Sequence, residues 1–262
     1  MNGRAQLSAD QAKFLESARQ SALAYSKRLP DFICTQVTYR DSDLLDPSEN
    51  SPPDILLRSN SSSWSRPQTE KNDEIEERLT FFDQKESYEV ISVNGKKAIG
   101  FDHLQFQGAI SMGEFGTDLR RVFAPESETV FTWDRVADLH GRRIYILGFT
   151  VPKRSGTVVD DRESGRKIVV PYTGQVFIDS DTLEVLRMTA RLEMPQGFPI
   201  RAGERMVEYK PIRIGGRDYN LPFHAEVRMR DGKYAYVNRI DFTNYHKFEA
   251  ESTIHYGSEP PQ

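Results

Sequence analysis

Gly174–Met194 reads GQVFIDSDTLEVLRMTARLEM. Apolar and polar residues alternate on both sides of the polar segment Asp179–Thr182. A period of two marks a β-strand with one face in a core and the other in water. Asp, Ser and Thr between two such runs make a turn. The stretch is therefore a hairpin with Ser180-Asp181 at its tip. In its second strand Leu186, Met188, Ala190, Leu192 and Met194 form one apolar row, opposite Val185, Arg187, Thr189, Arg191 and Glu193. The question for the rest of the chain is what covers that row.

The same rhythm continues toward the C-terminus. Arg205–Ile214 reads as a strand, with Pro211 placing it at an edge or at a bulge, because proline has no amide proton to give a ladder. Gly215-Gly216 turns the chain. Leu221, Phe223, Ala225, Val227 and Met229 then alternate with polar or small neighbours, Asp231-Gly232 turns it again, and Lys233–Phe248 follows as a long strand. Ala250–Tyr256 is expected to be the last strand, and 257–262 a mobile tail. Upstream, strands are expected over Asp31–Arg40, from Ile75 in RLTFF and SYEVISV, and around 129–138, 142–152, 168–172 and 174–178. Asp83–Glu86 and Asn94-Gly95 are the turns between the early ones. Lys153–Lys167 reads as a polar connection.

Two segments have helical spacing instead. Ser8-Ala9-Asp10-Gln11 is a capping box, and Phe14, Leu15, Ala18, Ala22, Tyr25 and Leu29 follow on one face until Pro30 ends the run. This predicts a helix over 9–28. Phe115, Leu119, Val122 and Phe123 share a face of a short helix within Gly113–Phe123, stopped by Pro125. Segment 41–72 is rich in Ser, Pro and Asn and is expected to be a loose insertion or a lid. Its Ile55–Leu57 and Trp64 are apolar enough to dock on the body.

These elements add up to a mainly β fold of the α+β class. About ten antiparallel strands would form a meander, curled into an incomplete barrel or sandwich around the N-terminal helix and the short internal helix. With 262 residues the chain is long enough to bury a core as a single domain without disulfides. Its one cysteine, Cys34, reads as a small buried residue. The net charge of −4, with both signs interspersed, argues against nucleic acid as a partner. No run approaches the length of a membrane-spanning helix. Met1–Gln6 does not read as a secretory leader.

Catalytic signatures are missing. There is no nucleophile elbow (GAISMG at 108–113 has the wrong spacing), no phosphate loop, no dinucleotide fingerprint, no HExxH and no CxxC. The five histidines have no metal-ligand spacing. Asp160, Asp161 and Glu163 cluster on a charged connection and read as a solvated loop, with an acid/base pair as the sharper alternative. Glu114 reads as a first-turn acid complementing a helix dipole. Asn60-Ser61-Ser62 fits a glycosylation triplet. The expectation is no catalytic residue, no metal and no cofactor.

An amphipathic helix leading through LPDFICTQV into a strand, and later GQVFIDSDTLEVLRM, together resemble the bacterial outer-membrane lipoprotein carrier and sorting proteins, the LolA/LolB-like superfamily. The resemblance covers residues 8–40 and 172–194 directly. EFGTDLRRVF and NYHKFEAESTI look more like segments of uncharacterised exported bacterial proteins. The carrier resemblance implies an incomplete barrel around helices, an apolar cavity for acyl chains, and a periplasmic or otherwise exported protein whose leader lies outside this chain. A sigma-factor regulator's sensor domain shares that fold, so the fold does not fix the task.

The leading expectation is a non-enzymatic exported protein binding a lipid or acylated peptide through Phe115, Leu119, Leu186, Met188, Leu192, Phe223 and Val227. An acyl chain of about 14 methylenes at ~0.8 kcal/mol each gives about 11 kcal/mol before ordering costs. The alternative is an envelope interaction or sensing module whose helices fill the cavity.

Overall fold

The computed structural model describes residues 7–44, 71–98, 100, 113–139 and 141–248. The expected strand at 250–256, the tail, the glycosylation triplet, Trp64 and three of the histidines (103, 140 and 255) lie outside them.

The capping box forms as read. Gln11 N donates to Ser8 Oγ over 3.2 Å and Ser8 N to Gln11 Oε1 over 2.9 Å. Helix α1 spans Ala9–Leu23, and a one-residue break at Ala24 separates it from the short α2, Tyr25–Arg28. Helix α3 is Thr117–Phe123. The strands are β1 Phe32–Leu44, β2 Lys71–Phe82, β3 Lys85–Val93, β4 Lys96–Lys97, β5 Val130–Leu139, β6 Arg142–Val151, β7 Thr157–Asp161, β8 Arg166–Val170, β9 Tyr172–Asp179, β10 Val185–Leu192, β11 Ala202–Ile214, β12 Arg217–Arg230 and β13 Tyr234–Lys247.

Eleven of these strands form one antiparallel sheet in the order β4-β3-β2-β1-β13-β12-β11-β10-β9-β6-β5. The sheet curls without closing, so β4 and β5 are its two edges. This is the expected incomplete barrel, but not a plain meander: β1 pairs with β13, joining the two ends of the described chain, and β6 pairs with β9 across an excursion. The excursion is the stretch expected to be a polar connection. It is instead a separate hairpin, β7 with β8, turning at Gly165 with φ 68°. Its inward residues Val159, Ile168 and Val170 pack on Phe198 and Ile200, apolar contacts that charged neighbours hide in the sequence.

The tight turns follow from backbone requirements. Asp83-Gln84, Asn94-Gly95 and Gly215-Gly216 all have positive φ at both positions, the geometry whose twist matches two-residue hairpins. In the β9–β10 turn, Asp179 Oδ1 accepts from the amides of Asp181 at 2.9 Å and Thr182 at 2.8 Å, and Oδ2 meets Arg142 Nε at 2.7 Å. Strand β1 runs on through 41–44 and β2 starts at Lys71, so the insertion expected over 41–72 is narrower at both ends. Segment 45–70 is outside the described residues. β11 is an interior strand and not an edge, but Pro211 lies past the end of its ladder to β10, and the nearby bulge belongs to β12. The β10 partners of β11 are 204–208, and β11 and β12 shift register between Glu208 and Tyr209.

One half of the concave face is filled by the helices. Ala18 and Ala22 let α1 approach closely, Phe14 packs edge-on against Tyr145, and Tyr25 donates its hydroxyl to Asn220 O at 2.8 Å. Arg19 Nη1 donates to Phe123 O at 2.8 Å, placing a cation at the C-terminus of α3. Phe115 lies among Phe32, Phe81, Phe242 and Tyr245. Cys34 is buried in the same core.

Candidate functional site

Directly opposed residues of antiparallel strands share a face, so the register lists side chains row by row across the concave surface. Val176, Met188, Val207, Ala225, Ile240, Thr38 and Ile75 form one such row. Gly174, Ala190, Arg205, Val227, Asn238, Arg40 and Asp73 form the next. Beyond it come Tyr172, Leu192, Gly203, Met229, Tyr236 and Ser42. Leu192 reaches the Gly203 position, where an added Cβ would stand 2.7 Å from its Cδ1.

The outer two rows are the floor of a cavity of about 820 Å³, within the size range of small-molecule sites. Asp118, Arg121 and Val122 of α3 form one wall, and residues 157–163 of the β7–β8 hairpin form the roof. Met188, Ala190, Leu192, Ile200, Val227 and Met229 make its surface apolar on one side. The space under the apolar row of β10 is thus shared between the helices and a cavity.

Of the seven residues read from sequence, three line it: Met188, Leu192 and Val227. Phe115 and Leu119 are instead core residues, 1% and 2% exposed, behind the wall that Val122 presents. Leu186 and Phe223 are displaced by bulges. Val185 pairs with Ile178 and Arg187 with Phe177, leaving Leu186 as the extra residue. It joins Ile144 and Ile146 in a small cluster on the other face of the sheet, while Val185 enters the core. Glu208 pairs with His224 and Tyr209 with Pro222, leaving Phe223 extra, its ring 4.6 Å from Lys210 Nζ. A bulge inverts the alternation locally, and strict parity in the sequence does not announce it.

The feature missed in the sequence is a buried ion cluster in the wall. Arg205 Nη2 meets Glu114 Oε1 at 2.6 Å and its Nη1 meets Asp118 Oδ2 at 2.5 Å. Arg121 Nη1 stands 3.6 Å from Asp118 Oδ1. Tyr209 donates its hydroxyl to Glu114 O at 3.1 Å. Nearby, Glu86 accepts from Gly113 N at 3.1 Å and from the Tyr88 hydroxyl at 2.5 Å. Glu114 precedes α3, so it is Arg205's partner rather than the first-turn acid expected; Asp118 holds that position. Burial pushes the Asp118 carboxyl up to about 7, with Glu114 and Glu86 adding to it against Arg205 and Arg121. Burial raises Glu86 in the same direction, with Glu114 next. Burial would lower Arg205, but Asp118 and Glu114 outweigh it and hold the guanidinium above its ordinary range. A signal was present in the sequence: Arg205 has the parity of Val207 and Tyr209, and Asp118 lies one helical turn from Glu114 and Val122.

The acids on the former connection have local partners. Asp160 pairs with Lys167 at 2.8 Å and Asp161 accepts from the Ser164 hydroxyl. His224 meets Asp241 at 2.8 Å and His246 meets Asn244 O at 2.9 Å. Among the described residues no group of three or more His, Cys, Asp or Glu is placed to hold a metal, and no helix is long and apolar enough to cross a membrane.

No protein-family model and no curated protein matches the sequence. Three solved structures are similar to it. A LolA superfamily protein from Nitrosomonas europaea is 10% identical with a TM-score of 0.43, over 90% of this chain and 94% of its own. A DUF1329 family protein from Desulfovibrio piger is 12% identical with a TM-score of 0.38, over 91% and 95%. A domain assigned to outer membrane lipoprotein sorting, from Vibrio parahaemolyticus, is 10% identical with a TM-score of 0.38, over 95% and 94%.

Proposed function

We propose that this is a non-enzymatic, exported binding protein that holds the apolar part of a lipid or acylated peptide in the cavity beneath β7–β8. The observation that supports this reading is the cavity itself: some 820 Å³, with Met188, Leu192, Val227 and Met229 presented by a rigid sheet. Apolar side chains on β10 and β12 offer methylene surface and no nucleophile. Filling such a space with hydrocarbon removes apolar area from water on both partners. The helices fill the other half of the concavity, so a ligand does not have to displace them.

The test is native mass spectrometry after gentle purification, together with titration by an apolar fluorophore. Ala190→Phe, in the middle of the floor, supplies the control. Copurified lipid or a fluorescence rise in the parent protein, lost in Ala190→Phe while its unfolding transition is retained, is the expected result. No lipid and no fluorophore response, or equal binding by the filled variant, overturns the proposal.

A further inference from the structure

An apolar ligand in this cavity has to lie across an ion pair. In the floor, Arg205 stands between Ala190 of β10 and Val227 of β12, each registered directly against it. All three line the cavity, with Asp118 beside them in the wall. Hydrocarbon laid along Ala190 and Val227 therefore also covers Arg205 and the carboxylate it holds. What that does depends on the charge left over there.

The cations and acids around Asp118 do not balance. Arg205 is one guanidinium serving two carboxylates, Asp118 at 2.5 Å and Glu114 at 2.6 Å. Glu86 of β3 adds a third acid, and its hydrogen bonds come from the neutral Gly113 N and Tyr88 hydroxyl. Arg121 is the second cation, 3.6 Å from Asp118 Oδ1, but its side chain is 55% exposed and so keeps much of its water. The other neighbours are neutral or already matched. Tyr209 and Tyr172 bring phenols that burial keeps protonated. Arg228 of the floor faces Glu226, and Asp160 of the roof faces Lys167.

An excess of negative charge out of water is relieved by a proton, and excluding more water increases the need for one. Of the three acids, Asp118 is the one that faces the cavity. Its carboxyl already stands at about 7, raised by burial and then by Glu114 and Glu86 against the pull of Arg205 and Arg121.

We infer that the cavity takes up a proton together with its apolar ligand, at Asp118, so that the ligand is held when this carboxyl is neutral and loosened when it is charged. This inference rests on the cavity reading above and adds a condition for release. The sign follows from linkage. At low pH Asp118 is neutral before the ligand arrives, and affinity is highest. As pH rises through about 7 the ligand must bring the proton back, and affinity falls until the occupied protein loses it too.

The test is the affinity of the full chain for diphenylhexatriene, a fluorescent hydrocarbon with no titrating group, at about pH 6 and about pH 9. Binding should be about threefold to tenfold tighter at the lower pH. Asp118→Asn is neutral at both and should bind equally at both, near the level of the parent protein at about pH 6. Glu86→Gln, behind the wall, should keep the dependence and move it to lower pH. Titration calorimetry of the parent protein in two buffers of different ionisation enthalpy reads the proton directly and does not depend on any variant folding; net uptake near neutral pH is expected. Equal affinity at both pH values, tighter binding at the higher one, no proton uptake, or an undiminished dependence in Asp118→Asn overturns the inference and leaves the cavity reading standing. No fluorophore response at either pH removes both.

Discussion

Arg205 of β11 and Asp118 of α3 meet at 2.5 Å, and through that contact the floor and the wall of the cavity are one piece. Glu114 completes the cluster at 2.6 Å. Taking Arg205 away would leave two carboxylates facing each other out of water. Arg205→Met is therefore expected to lower the unfolding free energy by about 3–5 kcal/mol. Adding Glu114→Gln and Asp118→Asn to it should recover a large part, because the cost lies in the orphaned charge rather than in the lost attraction. Urea unfolding of the single and triple variants measures both.

Asp118 also sets a sign for the pH response. Its folded-state pKa, about 7, is above the ordinary value of 3.8. Between those values the folded state binds more protons than the unfolded one, so this group's contribution to stability falls as pH rises through the window from about 4 to 7. That is opposite to Asp179, whose carboxyl is lowered: burial opposes the shift, and the amides of Thr182 and Asp181 and then Arg142 outweigh it. Comparing urea midpoints at about pH 5 and about pH 8 isolates the effect. Asp118→Asn should lose less stability between those two pH values than the parent protein, and an identical pH dependence would contradict the assignment.

Two glycines on the concave face predict different tolerances. A Cβ on Gly174 would stand 1.9 Å from Thr189 O, a backbone atom of the neighbouring strand, whereas a Cβ on Gly203 would meet the end of the Leu192 side chain. Gly174→Ala should destabilise by about 3 kcal/mol or more, because strand β10 must shift. Gly203→Ala should cost under about 1.5 kcal/mol and change fluorophore affinity instead, since Leu192 turns into the cavity. Thermal unfolding separates the two.

The roof is anchored separately from the sheet. Phe198, 1% exposed, packs with Val159, Val170 and Ile200, and Arg166 covers its ring at 5.1 Å. Phe198→Ala removes about 3–5 kcal/mol of packing, and the hairpin is where that loss should appear. Amide exchange of Thr157–Val170 is expected to accelerate, while the β11–β13 amides keep their protection. Uniform acceleration throughout the sheet would show that the hairpin is not an independent unit.

Much of this architecture was readable from residue order because it depends on local chemistry. Ser8 and Gln11 announce α1, Pro30 ends the helical stretch, and Asn94-Gly95 and Gly215-Gly216 state their turns through the backbone they require. The site was less legible for two reasons. Bulges at Leu186 and Phe223 depend on how two distant strands settle, so parity counting carried these residues to the wrong side. The ion cluster joins residues 91 positions apart in the case of Glu114 and Arg205, and charged residues scanned one at a time look like surface. Charges also concealed β7 and the start of β8, where Asp160-Asp161 follow Val158-Val159 and Arg166-Lys167 precede Ile168.

The pairing of β1 with β13 sets an order of events in biosynthesis. Phe32 is registered against Lys247, so one whole side of β1 has no partner until more than two hundred further residues have left the ribosome. Contacts of such long sequence separation are slow to form. A chain halted before Tyr234 would present a long bare strand flank, the kind of surface that recruits other chains. Newly made copies therefore need protection from one another until the C-terminal strand arrives, and truncation from that end should produce aggregates rather than a smaller soluble body.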